Sequence, residues 1–195
     1  MVLDFIDELK AYYSNEGVFN PWGDYSEQLD IGPVATKIRR NHLQRFLEPR
    51  IAKSRYIFVA EALGYQGGHF SGIPMTSERI VAGKHPKVAY KYIFMGKLGS
   101  RTSNPESRYP GFKESWRKEG LSESTATIVW KTMLENDIDP YEIMLWNIFR
   151  FHPYKKEKGL LSSRSPKPNE LQSGIYFLKR LLGLCPRDIQ IICIG

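Results

Sequence analysis

The chain has 195 residues, 42% of them hydrophobic, 13% aromatic and 25% charged, the composition of one ordinary folded domain with a full core. This excludes disordered, collagen-like and disulfide-scaffold chains, and no apolar run reaches the roughly 18 to 20 residues that span a bilayer. The net charge of +7 is uneven: residues 1–30 hold seven acids against Lys10 alone, which leaves a strongly basic body of the kind that attracts polyanions.

The N-terminus, MVLDFIDELK, carries acids where a signal peptide carries lysines, so the reading is a cytoplasmic protein with no membrane association. Phe5, Ile6, Leu9, Tyr12 and Tyr13 recur at helical spacing and predict a helix over 3–13. The following NEGVFNPWGDYSEQLDIGP reads as a loop pinned by Phe19, Trp22 and Tyr25. Pro33 or Thr36 opens a second helix, with Ile38, His42, Leu43, Phe46 and Leu47 inward and Lys37, Arg39, Arg40 and Arg45 mostly outward, ending before Pro49.

RYIFVAE at 55–61 is a buried strand feeding the glycine-dense ALGYQGGHFSGIP, after which Thr76-Ser77-Glu78-Arg79 can cap a helix. Residues 82–120 form a basic, turn-rich excursion with a helix at 87–95. A helix from Ser122 or Ser124 to Asn136 buries Ile128, Val129, Trp130, Met133 and Leu134. A second strand over 142–148 leads into a loop with six Lys or Arg and one Glu between Arg150 and Lys167. A helix from Asn169 to Leu184, with Leu171, Ile175, Leu178, Leu181 and Leu182 inward, and a third strand over 188–194 follow. Alternating helix and strand make this an α/β chain with a parallel sheet, whose active residues belong in loops after strand C-termini.

Three stretches can carry chemistry. Glu61 ends the first strand, and Gly64, Gly67, Gly68 and Gly72 let backbone approach a ligand closely or simply make turns. Asn147 ends the second strand, where its amide matches a pyrimidine edge or ties its own loop in an Asx turn. The loop from Arg150 to Lys167 interleaves charge with Phe149, Phe151 and Tyr154, as a groove for single-stranded nucleic acid does, or is a solvated loop. His152 reads as a loop residue, His42 as helix face, and His69 and His85 lack metal-ligand spacing. Cys185 and Cys193, read as small buried residues, are too few for a zinc or iron–sulfur site, so no metal or cofactor is expected.

The stretches VAEALGYQGGHFSGIPMTSER, ESTATIVW, LWNIFRFHPYKK with SSRSP, and PNE with its helix and IICIG together resemble the uracil-DNA glycosylase superfamily from about residue 17 onward. The resemblance is to a branch near the thermostable types, without their iron–sulfur cysteines. It implies a single domain over 1–195, a three-layer αβα sandwich with a short parallel sheet of order 2-1-3. It also implies base flipping and hydrolysis of the N-glycosidic bond of uracil or a related damaged base. Glu61 then positions water and Asn147 reads the base edge, with Ala62, Gly64, Tyr65, Phe70 and Met75 around the base and Lys155, Lys156 and Arg164 on DNA. Ala60, Ala62, Leu63, Gly64 and Arg150 depart from residues usual in the family or in its most active members, and the family's fourth strand with its His-Pro-Ser motif is not in the sequence, so a truncated domain is expected. The partner is single-stranded or uracil-containing DNA, and the last strand becomes an apolar edge open to self-association. The alternative is a non-catalytic nucleic-acid-binding domain of the same fold; a hydrolase of free nucleosides is a third reading.

Overall fold

The computed structural model describes residues 1–195. In chain order it contains α1 (Val2–Ala11), β1 (Val18–Phe19), α2 (Val34–Ile51), β2 (Tyr56–Ala62), α3 (Gly68–Ser71), α4 (Glu78–Val81), α5 (Glu114–Glu119), α6 (Ser124–Glu135), β3 (Ile143–Phe149), β4 (His152–Pro153), α7 (Pro168–Leu182) and β5 (Gln190–Cys193). The result is a mixed α/β molecule around a small, open, wholly parallel sheet, and none of its helices is long and apolar enough to cross a membrane.

β2 is central. It pairs with β3 from Tyr56↔Ile143 to Ala62↔Phe149 and with β5 from Tyr56↔Gln190 to Val59↔Cys193. β3 is buried along nearly its whole length, which is why its sequence is a continuous apolar run rather than an alternating one. α7 and α2 both rest on β3, and α1 rests on α2. The approach of α7 needs Gly174, because a Cβ there would run into the Ile148 carbonyl. Phe5 of α1, Trp146 of β3 and Phe177 of α7 meet in the core, with ring centroids 5.6 and 6.4 Å from Phe5. At the other side of the sheet β5 leaves Ile191 and Ile192 exposed, by 51% and 41%. Cys193 is exposed as well and Cys185 half-buried, so neither is the buried small residue expected.

Several expectations are corrected by contacts made far along the chain. α2 continues through Pro49 to Ile51, because Arg50 is fully buried and donates to the carbonyls of Phe46, Ile93, Tyr92 and Pro140 at 2.9–3.1 Å, which holds the last turn in place. Arg39 faces inward. Its guanidinium grips Asp30 through two bonds of 2.9 and 3.2 Å with both side chains sealed from water, and it also donates to Pro21 O and Asp24 O. Thus Arg39, together with buried Phe19 and Trp22, fastens the N-terminal loop, whereas Tyr25 is exposed. A two-residue antiparallel ladder, β1 on β4, ties the same loop to the segment after β3.

The basic excursion has a single 3-10 turn at Tyr90–Tyr92 in place of a helix at 87–95. It is organised by Glu78, whose buried carboxylate accepts from Thr102 N, Ser103 N, Ser103 Oγ and Leu121 N at 2.5–3.3 Å. Arg101 and Arg117 spend their donors on carbonyls of Trp116, Arg117 and Ser107 within the excursion. Ile128 on α6 and Ile175 on α7 point to solvent, one position off the apolar stripe of each helix.

Candidate functional site

Parallel strands place their C-terminal ends on one edge, and there a cleft of about 530 Å³ opens. Its walls are residues 60–64 at the end of β2, Met75, Glu123 and Thr125 at the start of α6, Asn147 of β3, residues 163–165 and residues 194–195. Ala60 is the register partner of Asn147, so those two share one face of the sheet and Glu61, one residue on, starts from the other face; both Glu61 and Asn147 line this cleft at the edge where the strands end.

Asn147 is buried. Its Nδ2 donates to Ala62 O at 3.0 Å, across to the neighbouring strand rather than to its own loop, so the Asx-turn alternative is not what the amide does. Its Oδ1 is closed off from solvent with no partner, an acceptor whose isolation costs about 1–3 kcal/mol until something donates to it. Glu61 is exposed at the rim. Ala62 and Gly64 line the cleft beside it, as does Met75, which is buried and held at φ 47°, a left-handed conformation unfavourable for a side chain with a Cβ.

The remaining residues singled out from the sequence separate. Phe70 lies fully buried in a second apolar cluster with Leu29, Phe112, Trp116 and Leu121, and does not reach the cleft; its ring is used as core. Tyr65 turns to Trp116 and His152, with centroids 6.3 and 6.4 Å away, and is likewise outside the cleft wall. Arg164 does line it, held by two 2.7 Å bonds to Glu170 and one of 3.0 Å to Gly17 O. Lys155 and Lys156 are exposed, the latter paired with Glu16.

Arg150 is not part of a basic groove. It is fully buried, with its guanidinium carbon 3.4 Å from the Phe177 ring centroid and 4.0 Å from that of Phe151, and burial lowers its pKa to about 9. Phe149 and Phe151 are core rings for the same reason: the chain turns them inward against α7 and α1 instead of offering them for stacking.

Two features escaped the sequence reading. His69 and His152 are both buried and join Nδ1 to Nδ1 at 2.8 Å. His152 Nε2 lies 2.7 Å from Ser162 O and must donate there, so its Nδ1 accepts from His69 and the His69 Nε2 is left a bare, unpartnered acceptor. The second is Glu123. The residue is half-buried, yet its Oε2 is sealed from solvent with no partner, and burial raises its pKa to about 7.

The Glu123 carboxyl lies directly on the glycine loop. A Cβ on Gly64 would come within 2.6 Å of Oε1, and one on Gly67 would run into Oε2. The loop's glycines therefore make room for an acid. Gly64→Ala is expected to lower stability by about 1–2 kcal/mol in urea unfolding. Combining it with Glu123→Ala should remove that loss, whereas simple additivity of the two would place the carboxyl elsewhere. The only signal in the sequence was an acid just ahead of ESTATIVW's helix. No protein-family model matches the chain, and no curated protein matches it.

Proposed function

We propose that the protein is a DNA-repair glycosylase of the uracil-DNA glycosylase type, which flips a uracil or related base into the cleft and hydrolyses its N-glycosidic bond. The observation that carries this reading is the free acceptor of Asn147 in a cleft that Glu61 also lines, at the carboxyl edge of a parallel sheet. The strand order β3-β2-β5, with helices resting on β3, supports the finer description of a three-layer sandwich. Asn147 Oδ1 accepts the ring N3–H, and the Nδ2 hydrogen not given to Ala62 donates to O4. As the C1′–N1 bond breaks and the base leaves as an anion, the N–H bond to O4 strengthens. Water held near Glu61 adds its oxygen to C1′, and the proton it gives up ends on the departing uracil anion, which leaves as neutral uracil; interactions that grow as the anion forms lower the barrier. Lys155 and Lys156, exposed beside the loop, suit the phosphates of single-stranded DNA. Exposed Ile191 and Ile192 support edge association of two chains.

Uracil release from single- and double-stranded oligonucleotides tests the reading. Asn147→Ala is expected to lower release by about 10²- to 10³-fold, as loss of one charge-stabilising group does. Lys155→Ala should act far less, through weaker and less salt-dependent binding. Salt-dependent DNA binding with no uracil release would favour the non-catalytic binding domain, and neither binding nor release would overturn both.

A further inference from the structure

The cleft holds a second carboxyl that the proposed hydrolysis does not use. Glu123 comes from the start of α6, outside the strand ends that carry Glu61 and Asn147. Its Oε2 has neither solvent nor a hydrogen-bond donor, and it forms no ion pair. The other charged side chains on the wall are Glu61 and Arg164, and Arg164 is committed to Glu170. Tyr65 belongs to the loop under the carboxyl but turns away to Trp116. No hydrogen bond or ion pair holds a negative charge at Glu123, which stands at the N-cap of α6 without bonding its N–H groups, so burial favours the neutral acid and raises its pKa to about 7. A ligand that displaces the remaining water from the cleft strengthens that preference.

A neutral carboxyl has one O–H to give, and Asn147 Oδ1 in the same cleft has one bond to receive. The pair complements a neutral group with an adjoining carbonyl and N–H. We propose that Glu123 recognises the cleft's ligand as a protonated acid, donating to a carbonyl oxygen of a pyrimidine base while Asn147 accepts the base's ring N–H. This rests on the base-binding reading of the cleft and assigns it a residue outside the strand-end motifs.

Calorimetric titration of the full chain with free uracil from about pH 6 to about pH 8.5 tests it. Wild-type affinity should fall about tenfold per pH unit above pH 7, because the donor proton is lost. Glu123→Gln keeps a donor of the same shape with nothing to titrate, and should bind with unchanged affinity across the range. Glu123→Ala should bind weakly throughout. A flat wild-type profile, the same profile in Glu123→Gln, or no uracil binding at any pH overturns the proposal. Expected pH-dependent binding with no uracil release from DNA would sink the excision reading and leave the recognition standing. Release from DNA with indistinguishable wild-type and Glu123→Gln profiles would do the reverse.

Discussion

Arg39→Met is expected to lower the free energy of unfolding by about 3–5 kcal/mol. The substitution strands the Asp30 carboxylate, which is sealed from water and whose remaining donor is Ser26 N at 2.9 Å. It also frees the carbonyls of Pro21 and Asp24 that hold the N-terminal loop in its course. Lys37→Met, on the exposed side of the same helix, should change little. Because removing both charges avoids the stranded one, Arg39→Met with Asp30→Leu should recover much of the loss. Urea midpoints of the four proteins decide it, and a single-variant loss under about 1 kcal/mol would mean that Asp30 reaches water or another donor.

Acidification should be nearly as damaging. His42, His69 and His152 are buried and neutral, and each uses its neutral tautomer. His42 Nδ1 donates to Ser71 O at 2.9 Å while Nε2 accepts from Ser100 N at 3.0 Å, so a second proton would break the latter bond. Burial lowers the pKa of His42 and of His152 to about 4, and pushes His69 well below its ordinary value. Between pH 6.5 and 4 the unfolded chain therefore binds more protons than the folded one, so stability is complete above 6.5 and is lost as pH falls toward 4. The loss is on the order of 3 kcal/mol for each of His42 and His152. Glu123 works in the opposite sense, since its raised pKa makes the folded state take up a proton as pH falls from about 7, and it offsets roughly one histidine. Urea unfolding followed against pH should show the net decline, and His42→Gln should flatten part of it. An unchanged midpoint down to pH 4 would mean that these histidines are hydrated.

The residues that were legible in the sequence are those whose role is local. Residues 55–61 and 142–148 read as strands because their β-branched and aromatic runs are short and bounded by turns, and β2 and β3 lie there. α6 and α7 follow from their periodicity. Asn147 stood out as an amide in an otherwise apolar strand. What stayed hidden depends on partners distant in the chain. Nothing near Arg39, Arg50 or Arg150 reveals that each is buried, because Asp30, the carbonyls of Tyr92 and Pro140, and the rings of Tyr12 and Phe177 are brought to them only by the fold. The histidine pair joins residues 83 apart. Glu123 drew no reading at all, because the glycines it rests on are read first as turns or as ligand contacts.

The central position of β2 also bears on how the molecule is assembled. Both of its neighbours are encoded far downstream, β3 after the whole basic excursion and β5 after α7, and neither pairing can be nucleated by a hairpin. A nascent chain that has emerged as far as α6 has β2 with no strand partner, so the core stays open until β3 arrives and the sheet reaches full width only when residue 193 is free. Pairing of such distant segments means slow folding and a long exposure of Ile57, Phe58 and Val59 on the incomplete chain.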